Sequence, residues 1–284
     1  MKIFRGQLDA APFLGVFFLL IIFLLLNSTF VFTPGFGSDQ TVWGPIADAF
    51  AADSRVLTYD IVGAGRSDPA AFVQHEYLNL RAYARDLVRL LDALGLRRVV
   101  AIGHSVGAMA SALASIDRPD LVGELVLIGA SPHYLDKPGY HGGFTRQDVD
   151  DVYGAITLDY QGWVETFARR CMANPDRPDL AAEFIRCFRT IPAEHALTIA
   201  RAIFQSDHRE DMAKVTRPTL ILQAREDAAV PPEVAIFLRD AIRGSRLVQV
   251  DATGHLPHAS APAQVVAAIR DFLDAPERIA VSSP

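Results

Sequence analysis

The chain has 284 residues, half of them apolar, which is enough for one large α/β domain with an insertion and a sizeable core. Its net charge of −6, with no basic stripe anywhere, argues against nucleic acid as a partner. The two cysteines, Cys171 and Cys187, form no C-x-x-C and belong to no His/Cys cluster with metal spacing. Both read as buried free thiols, and no metal is expected.

Lys2 and Arg5 precede a run of fourteen residues without a polar side chain, Phe13–Leu26. As a helix this run spans ~21 Å against a hydrocarbon core of ~30 Å. Extension through Asn27-Ser28-Thr29 to Phe32 reaches spanning length. Residues 13–32 are therefore expected to associate with a membrane, with the positive flank inside. A signal-peptide core and an apolar segment packed on the domain are the alternatives, although no A-x-A-like cleavage site follows. The expected localisation is membrane-associated, the alternative cytoplasmic. The same extension consumes Thr29–Thr33, which also reads as a strand. The expected organisation is an apolar segment over 1–28, a domain over 29–274 and a frayed tail over 275–284.

After the Thr29–Thr33 strand comes the loop Pro34-Gly35-Phe36-Gly37-Ser38-Asp39-Gln40, then a short helix over Trp43–Ala52. Such a loop can aim a backbone N–H into a site, and Phe36 is the candidate donor. A second strand, Arg55–Asp60, precedes Ile61–Asp68. This turn is not G-x-G-x-x-G, because Asp68 stands where the third glycine belongs, which argues against a dinucleotide fingerprint. Tyr77–Gly95 reads as a helix, with Leu80, Tyr83, Ala84, Leu87, Leu90, Leu91 and Leu94 on one face.

The chain is organised around Gly103-His104-Ser105-Val106-Gly107. It fits G-x-S-x-G between an apolar strand, Arg98–Ile102, and a small-residue helix from Ala108. Such a turn holds the Ser105 hydroxyl clear of the sheet edge on strained backbone. A Cβ at Gly103 or Gly107 would collide with the neighbouring strand or helix. The following helix N-terminus points free N–H groups at the same place. A further apolar strand, Glu124–Ala130, implies a parallel sheet buried on both faces. From Leu135 to about Asp207 the pattern is helical and rich in aromatics. This insertion is placed to form a lid, with Tyr153, Ile156, Trp163, Phe167, Phe184, Phe188 and Phe204 available to an apolar cavity.

Two more strands, Pro218–Ala224 and Arg246–Asp251, each end in a loop with chemistry. The first loop offers Asp227, with Glu226 as its rival. The second offers His255, with His258 as its competitor. The order Ser…Asp…His, each after a strand, is the chain order of α/β-hydrolases. A helix over about Ala261–Leu273 closes the chain. His104, beside Ser105, is assigned to packing and to the pocket wall.

Several stretches together resemble one branch of the α/β-hydrolases, the branch that contains the bacterial stress-response regulator RsbQ and the plant karrikin and strigolactone receptors. They are Gly35–Gln40, Tyr59-Asp60 with Gly63–Asp68, Gly103–Met109, Ala130–Leu135, Gly142-Gly143-Phe144 and Gly254–His258. They cover about residues 29–273. The resemblance implies an α/β-hydrolase fold with a mostly parallel sheet and a four-helix lid within about 136–207. It implies Ser105 as nucleophile, Asp227 as acid, His255 as base, and the Phe36 and Val106 N–H groups as oxyanion donors. Tyr134, Tyr153, Trp163 and Phe204 join His104 as expected pocket residues. No cofactor is expected. Two departures stand out. Pro34-Gly35 replaces the family's His-Gly pair, and Met1–Ser28 bears no likeness to the family's first β-hairpin, which the apolar segment would replace.

The expected reaction is acyl transfer from a small apolar ester or lactone to water. The alternative is a slow hydrolase that senses a hydrophobic signal molecule and recruits a regulatory protein partner. Perhydrolysis or C–C bond hydrolysis on the same residues is a third reading.

Overall fold

The computed structural model describes residues 28–275. Six strands form one sheet: β1 (Thr29–Thr33), β2 (Arg55–Thr58), β3 (Val99–His104), β4 (Val122–Ile128), β5 (Thr219–Glu226) and β6 (Arg246–Thr253). Their order is β2-β1-β3-β4-β5-β6, and every pairing is parallel. A parallel sheet needs crossovers, and α1 (Gly44–Ala51), α2 (Arg81–Ala93), α3 (Val106–Asp117) and α9 (Pro232–Ala241) serve as such, while α11 (Pro262–Asp274) follows the last strand and packs on the sheet. The four helices α4 (Arg146–Leu158), α5 (Tyr160–Met172), α6 (Pro178–Phe188) and α7 (Ala193–Gln205) form the insertion. Two single-turn helices, α8 (Arg209–Met212) and α10 (Pro257–Ser260), complete the described chain.

Alternation along the strands separates the two layers. Phe30, Phe32, Val100, Ile102, Val126, Ile128, Leu220 and Leu222 pack with Ile46 and Phe50 of α1 and with Val265 and Ile269 of α11. Val31, Ala101, Leu125, Leu127 and Ile221 face the other way, toward Leu87 of α2, Leu113 of α3 and Leu238 of α9. Because both faces are covered, the strands carry continuous apolar runs. The α3 helix is buried from Val106 to Ser115 and is built mostly of Ala, Ser and Gly there, which lets it lie close to the sheet.

The helix expected over Tyr77–Gly95 is shorter, beginning at Arg81, because Gln74–Glu76 forms a separate 3₁₀ turn. The membrane expectation for residues 13–32, and the membrane localisation built on it, are corrected. Spanning length required Thr29–Phe32, and these residues are buried in β1, paired on both sides by β2 and β3. No helix among the described residues is long and apolar enough to cross a membrane. The Phe13–Leu26 run, the missing first hairpin and the tail from Pro276 onward lie outside the described residues.

Candidate active site

Ser105 sits between β3 and α3 with φ 52° and ψ −115°, a left-handed backbone on a residue with a Cβ. Such a conformation costs about 1–3 kcal/mol and persists where its surroundings fix it. Three backbone bonds do so here. The Ser105 N–H donates to the Ile128 carbonyl at 2.9 Å, and the Ser105 carbonyl accepts from Ala108 and Met109. A Cβ on Gly103 would run into the Gly107 backbone, and one on Gly107 into the Thr33 carbonyl at the end of β1. The turn is therefore closed from both sides. Val106 opens α3, so its N–H has no partner within the helix.

β5 ends at Glu226, and the next residue, Asp227, turns its carboxylate inward, with only 1% of the side chain exposed. Oδ1 accepts from the Ala229 N–H at 2.8 Å and the Val230 N–H at 3.1 Å, while Gln223 Nε2 donates to Oδ2 at 3.3 Å. His255 Nδ1 lies 3.0 and 2.9 Å from the two carboxylate oxygens. Burial works to raise the Asp227 pKa, but the His255 imidazole and the two loop N–H groups outweigh it and hold the carboxylate below its usual range. With a carboxylate at Nδ1 the imidazole carries its proton there, leaving Nε2 as the acceptor. Glu226 is exposed, and its carboxylate accepts from Thr253 instead.

The His255 loop is held by the lid. The His255 N–H donates to the Cys171 carbonyl at 2.7 Å, at the end of α5. Asn174, two residues beyond that helix, donates from Nδ2 to the carbonyls of Met172 and of Thr253 in β6. On the opposite side, Phe36 packs its ring against Phe188 of α6 (centroids 4.8 Å apart) and Trp163 of α5 (6.3 Å).

Ser105 and His255 line one cavity of about 40 Å³ together with Phe36, Tyr134, Trp163 and Phe204. The Ser105 hydroxyl lies 3.3 Å from the Tyr134 hydroxyl. Burial pushes the Tyr134 pKa well above the ordinary tyrosine value, so this hydroxyl stays a donor. Two expected pocket residues are elsewhere. His104 lies behind the wall, 1% exposed, with Nε2 2.9 Å from the His255 carbonyl oxygen. Tyr153 supports the wall from outside, its ring 6.3 Å from that of Phe204. The cavity also takes in Phe144, Phe167, Cys171, Phe184, Ile203 and Ala229. Phe144 belongs to the non-helical link before α4, and Cys171 to a helix end, positions that helical periodicity does not flag.

His258, the competitor, is fully buried and stacks on Trp43 at 4.4 Å and against His104 at 4.5 Å. Burial, aided by His255, pushes its pKa down to about 3, and burial lowers His104 well below the ordinary value. Both rings act as neutral packing groups. Cys171 and Cys187 are buried and unpaired. Burial also pushes the Cys171 thiol far up, so it stays a protonated thiol.

The α/β hydrolase fold family matches residues 28–262. Over 234 residues, 82% of this chain and 87% of its relative, the sequence is 40% identical to the strigolactone esterase RMS3 of Pisum sativum. It is 36% identical over 237 residues to the karrikin insensitive 2 receptor IA of Petunia hybrida, covering 83% of this chain and 86% of that one. A hydrolase from Oleispira antarctica superposes with a TM-score of 0.85 at 30% identity, covering 88% of this chain and 92% of the other. By sequence, and by a parallel sheet with a serine at its strand-to-helix turn, this chain belongs to the α/β-hydrolase fold family.

Proposed function

We propose that this chain is a serine hydrolase acting on a small apolar ester or lactone, with Ser105 as nucleophile, His255 as base and Asp227 as the acid that orients it. The observation that supports this reading best is His255, fixed through Nδ1 on a buried carboxylate while it lines one cavity with Ser105. Rotation of the Ser105 hydroxyl from Tyr134 toward His255 Nε2 starts the reaction. His255 takes the proton as Ser105 attacks the carbonyl. Asp227 keeps the imidazole in the required tautomer and stabilises its cation. The Phe36 and Val106 N–H groups receive the developing oxyanion, each contributing about 2.7–4 kcal/mol. His255 then protonates the leaving group, and water repeats the sequence on the acyl-enzyme. Ser105→Ala is expected to abolish p-nitrophenyl acetate turnover and labelling by a small fluorophosphonate. Retained turnover in a clean preparation sinks the assignment.

A second reading rests on the karrikin receptor among the relatives. In it, slow turnover accompanies capture of an apolar signal molecule beneath the lid, and the occupied lid recruits a protein. Ligand-dependent pull-down of a partner that also requires Ser105 favours the sensor. Fast multiple turnover with no such partner favours the enzyme.

A further inference from the structure

We infer that the site divides its substrate unevenly, taking a short acyl group into the closed end of the catalytic cavity and a bulkier alcohol into an outer groove between α4 and α5. The inference rests on the hydrolase reading and adds the substrate class to it. Two spaces meet at the site. The inner one, about 40 Å³, contains Ser105 and has room for about three water-sized groups. The outer one, about 400 Å³, adjoins it, and Phe144, Trp163, Phe167, Cys171 and Ala229 line both. Beyond Ser105 the inner space ends on Tyr134, Phe184, Ile203 and Phe204, all buried. That end wall is stiff. The Phe204 ring is wedged between those of Tyr134 at 5.5 Å, Phe144 at 5.1 Å and Tyr153 at 6.3 Å, and close-packed interiors do not yield to an added methylene without strain.

The chemistry decides which half of the ester goes where. When the bond between the carbonyl carbon and the leaving oxygen breaks, the electron pair stays on that oxygen and His255 delivers its Nε2 proton there. The leaving group therefore lies on the His255 side of Ser105. The outer groove opens on that side, because its walls include the elements that hold the base. Cys171 accepts from the His255 N–H, and Ala228 and Ala229 follow Asp227. The acyl group, left on Ser105, faces the Tyr134–Phe204 wall. Asp148, Asp151, Thr166 and Arg170 at the groove make the alcohol side tolerant of polar substituents.

The test is a two-way ester series on the full chain. The expected result is a fall in kcat/KM of at least about 100-fold from p-nitrophenyl acetate to p-nitrophenyl octanoate. Exchanging p-nitrophenyl acetate for 4-methylumbelliferyl acetate should change it less than about tenfold. Phe204→Leu and Ile203→Ala should each raise the octanoate-to-acetate ratio about tenfold. Octanoate turned over as well as acetate by the wild-type chain overturns the division, while fluorophosphonate labelling of Ser105 in the same sample leaves the hydrolase reading standing. No turnover of any ester together with no labelling overturns both.

Discussion

The lid holds the two loops of the site by opposite means. On the Phe36 side the contact is apolar: the Phe188 ring covers Gly37 so closely that a Cβ there would penetrate it, and Phe36 lies against the same ring. On the His255 side it is polar and runs through backbone carbonyls: Cys171 O accepts from the His255 N–H, Asn174 ties α5 to β6, and the Met172 carbonyl fills the space over Gly254. The difference follows from what each loop already has. The Phe36 loop fixes its own course, with Ser38 N–H on Gly35 O, Asp39 capping the Gln40–Trp43 turn and Gln40 N–H on Asp60. It needs only a cover. The His255 loop sets an imidazole in one orientation on Asp227, and apolar contacts are too weakly directional for that.

The largest expected effect breaks the His255 side at its centre. Asp227→Asn leaves the packing intact but favours the wrong tautomer, and kcat on p-nitrophenyl acetate should fall about 10⁴-fold. Glu226→Gln should stay within about twofold, and the reverse result reassigns the acid. Next comes the apolar brace. Phe188→Ala should cost about 3–5 kcal/mol in chemical denaturation, with Phe188→Leu far milder. If neither variant changes stability, the Phe36 loop stands without the lid. Asn174→Ala, which removes the amide linking α5 to β6, should cost about 0.5–1.5 kcal/mol and lower kcat a few-fold at unchanged KM. An altered KM with constant kcat would mean that Asn174 acts on binding instead.

The effect furthest from the chemistry, and the smallest near neutral pH, concerns the histidines behind the site. Folding holds His104 and His258 below their ordinary values, so between about pH 6.5 and, for His258, about pH 3 the unfolded chain binds protons that the folded chain does not. Stability therefore falls as pH drops through this window. His258 alone contributes a slope of up to about 1.4 kcal/mol per pH unit. Neither His258 ring nitrogen has a hydrogen-bond partner, so His258→Phe keeps the stack on Trp43 and should flatten the slope. An unchanged slope in urea titrations at pH 4–7 would assign the acid sensitivity to another group.

The sheet, and the placing of Ser105, Asp227 and His255 just past its strands, were legible because there local pattern and chain order coincide. The lid cavity was not. Trp163 and Phe204 reach it while Tyr153 and Ile156 do not, and what separates them is how the four helices are rotated and crossed, which periodicity leaves open. His104 was misplaced because neighbours in sequence at a sharp turn need not share a side: Ser105 lines the cavity and His104 reaches behind it to the His255 carbonyl. The apolar count misled at Thr29–Phe32 because a fully buried strand and a helix extension are equally hydrophobic in a short run.

The bond from His255 to Cys171 also sets where this molecule can be cut and rejoined. In sequence the insertion looks like a detachable module, with splice points before α4 and after α7. In space, part of the support for the His255 loop belongs to that module. A lid transplanted from a relative would bring its own seat for the histidine, and a shortened one would remove it. Chimeras that retain the stretch from Cys171 to Asn174 keep this chain's own hold on His255, whatever helices surround it.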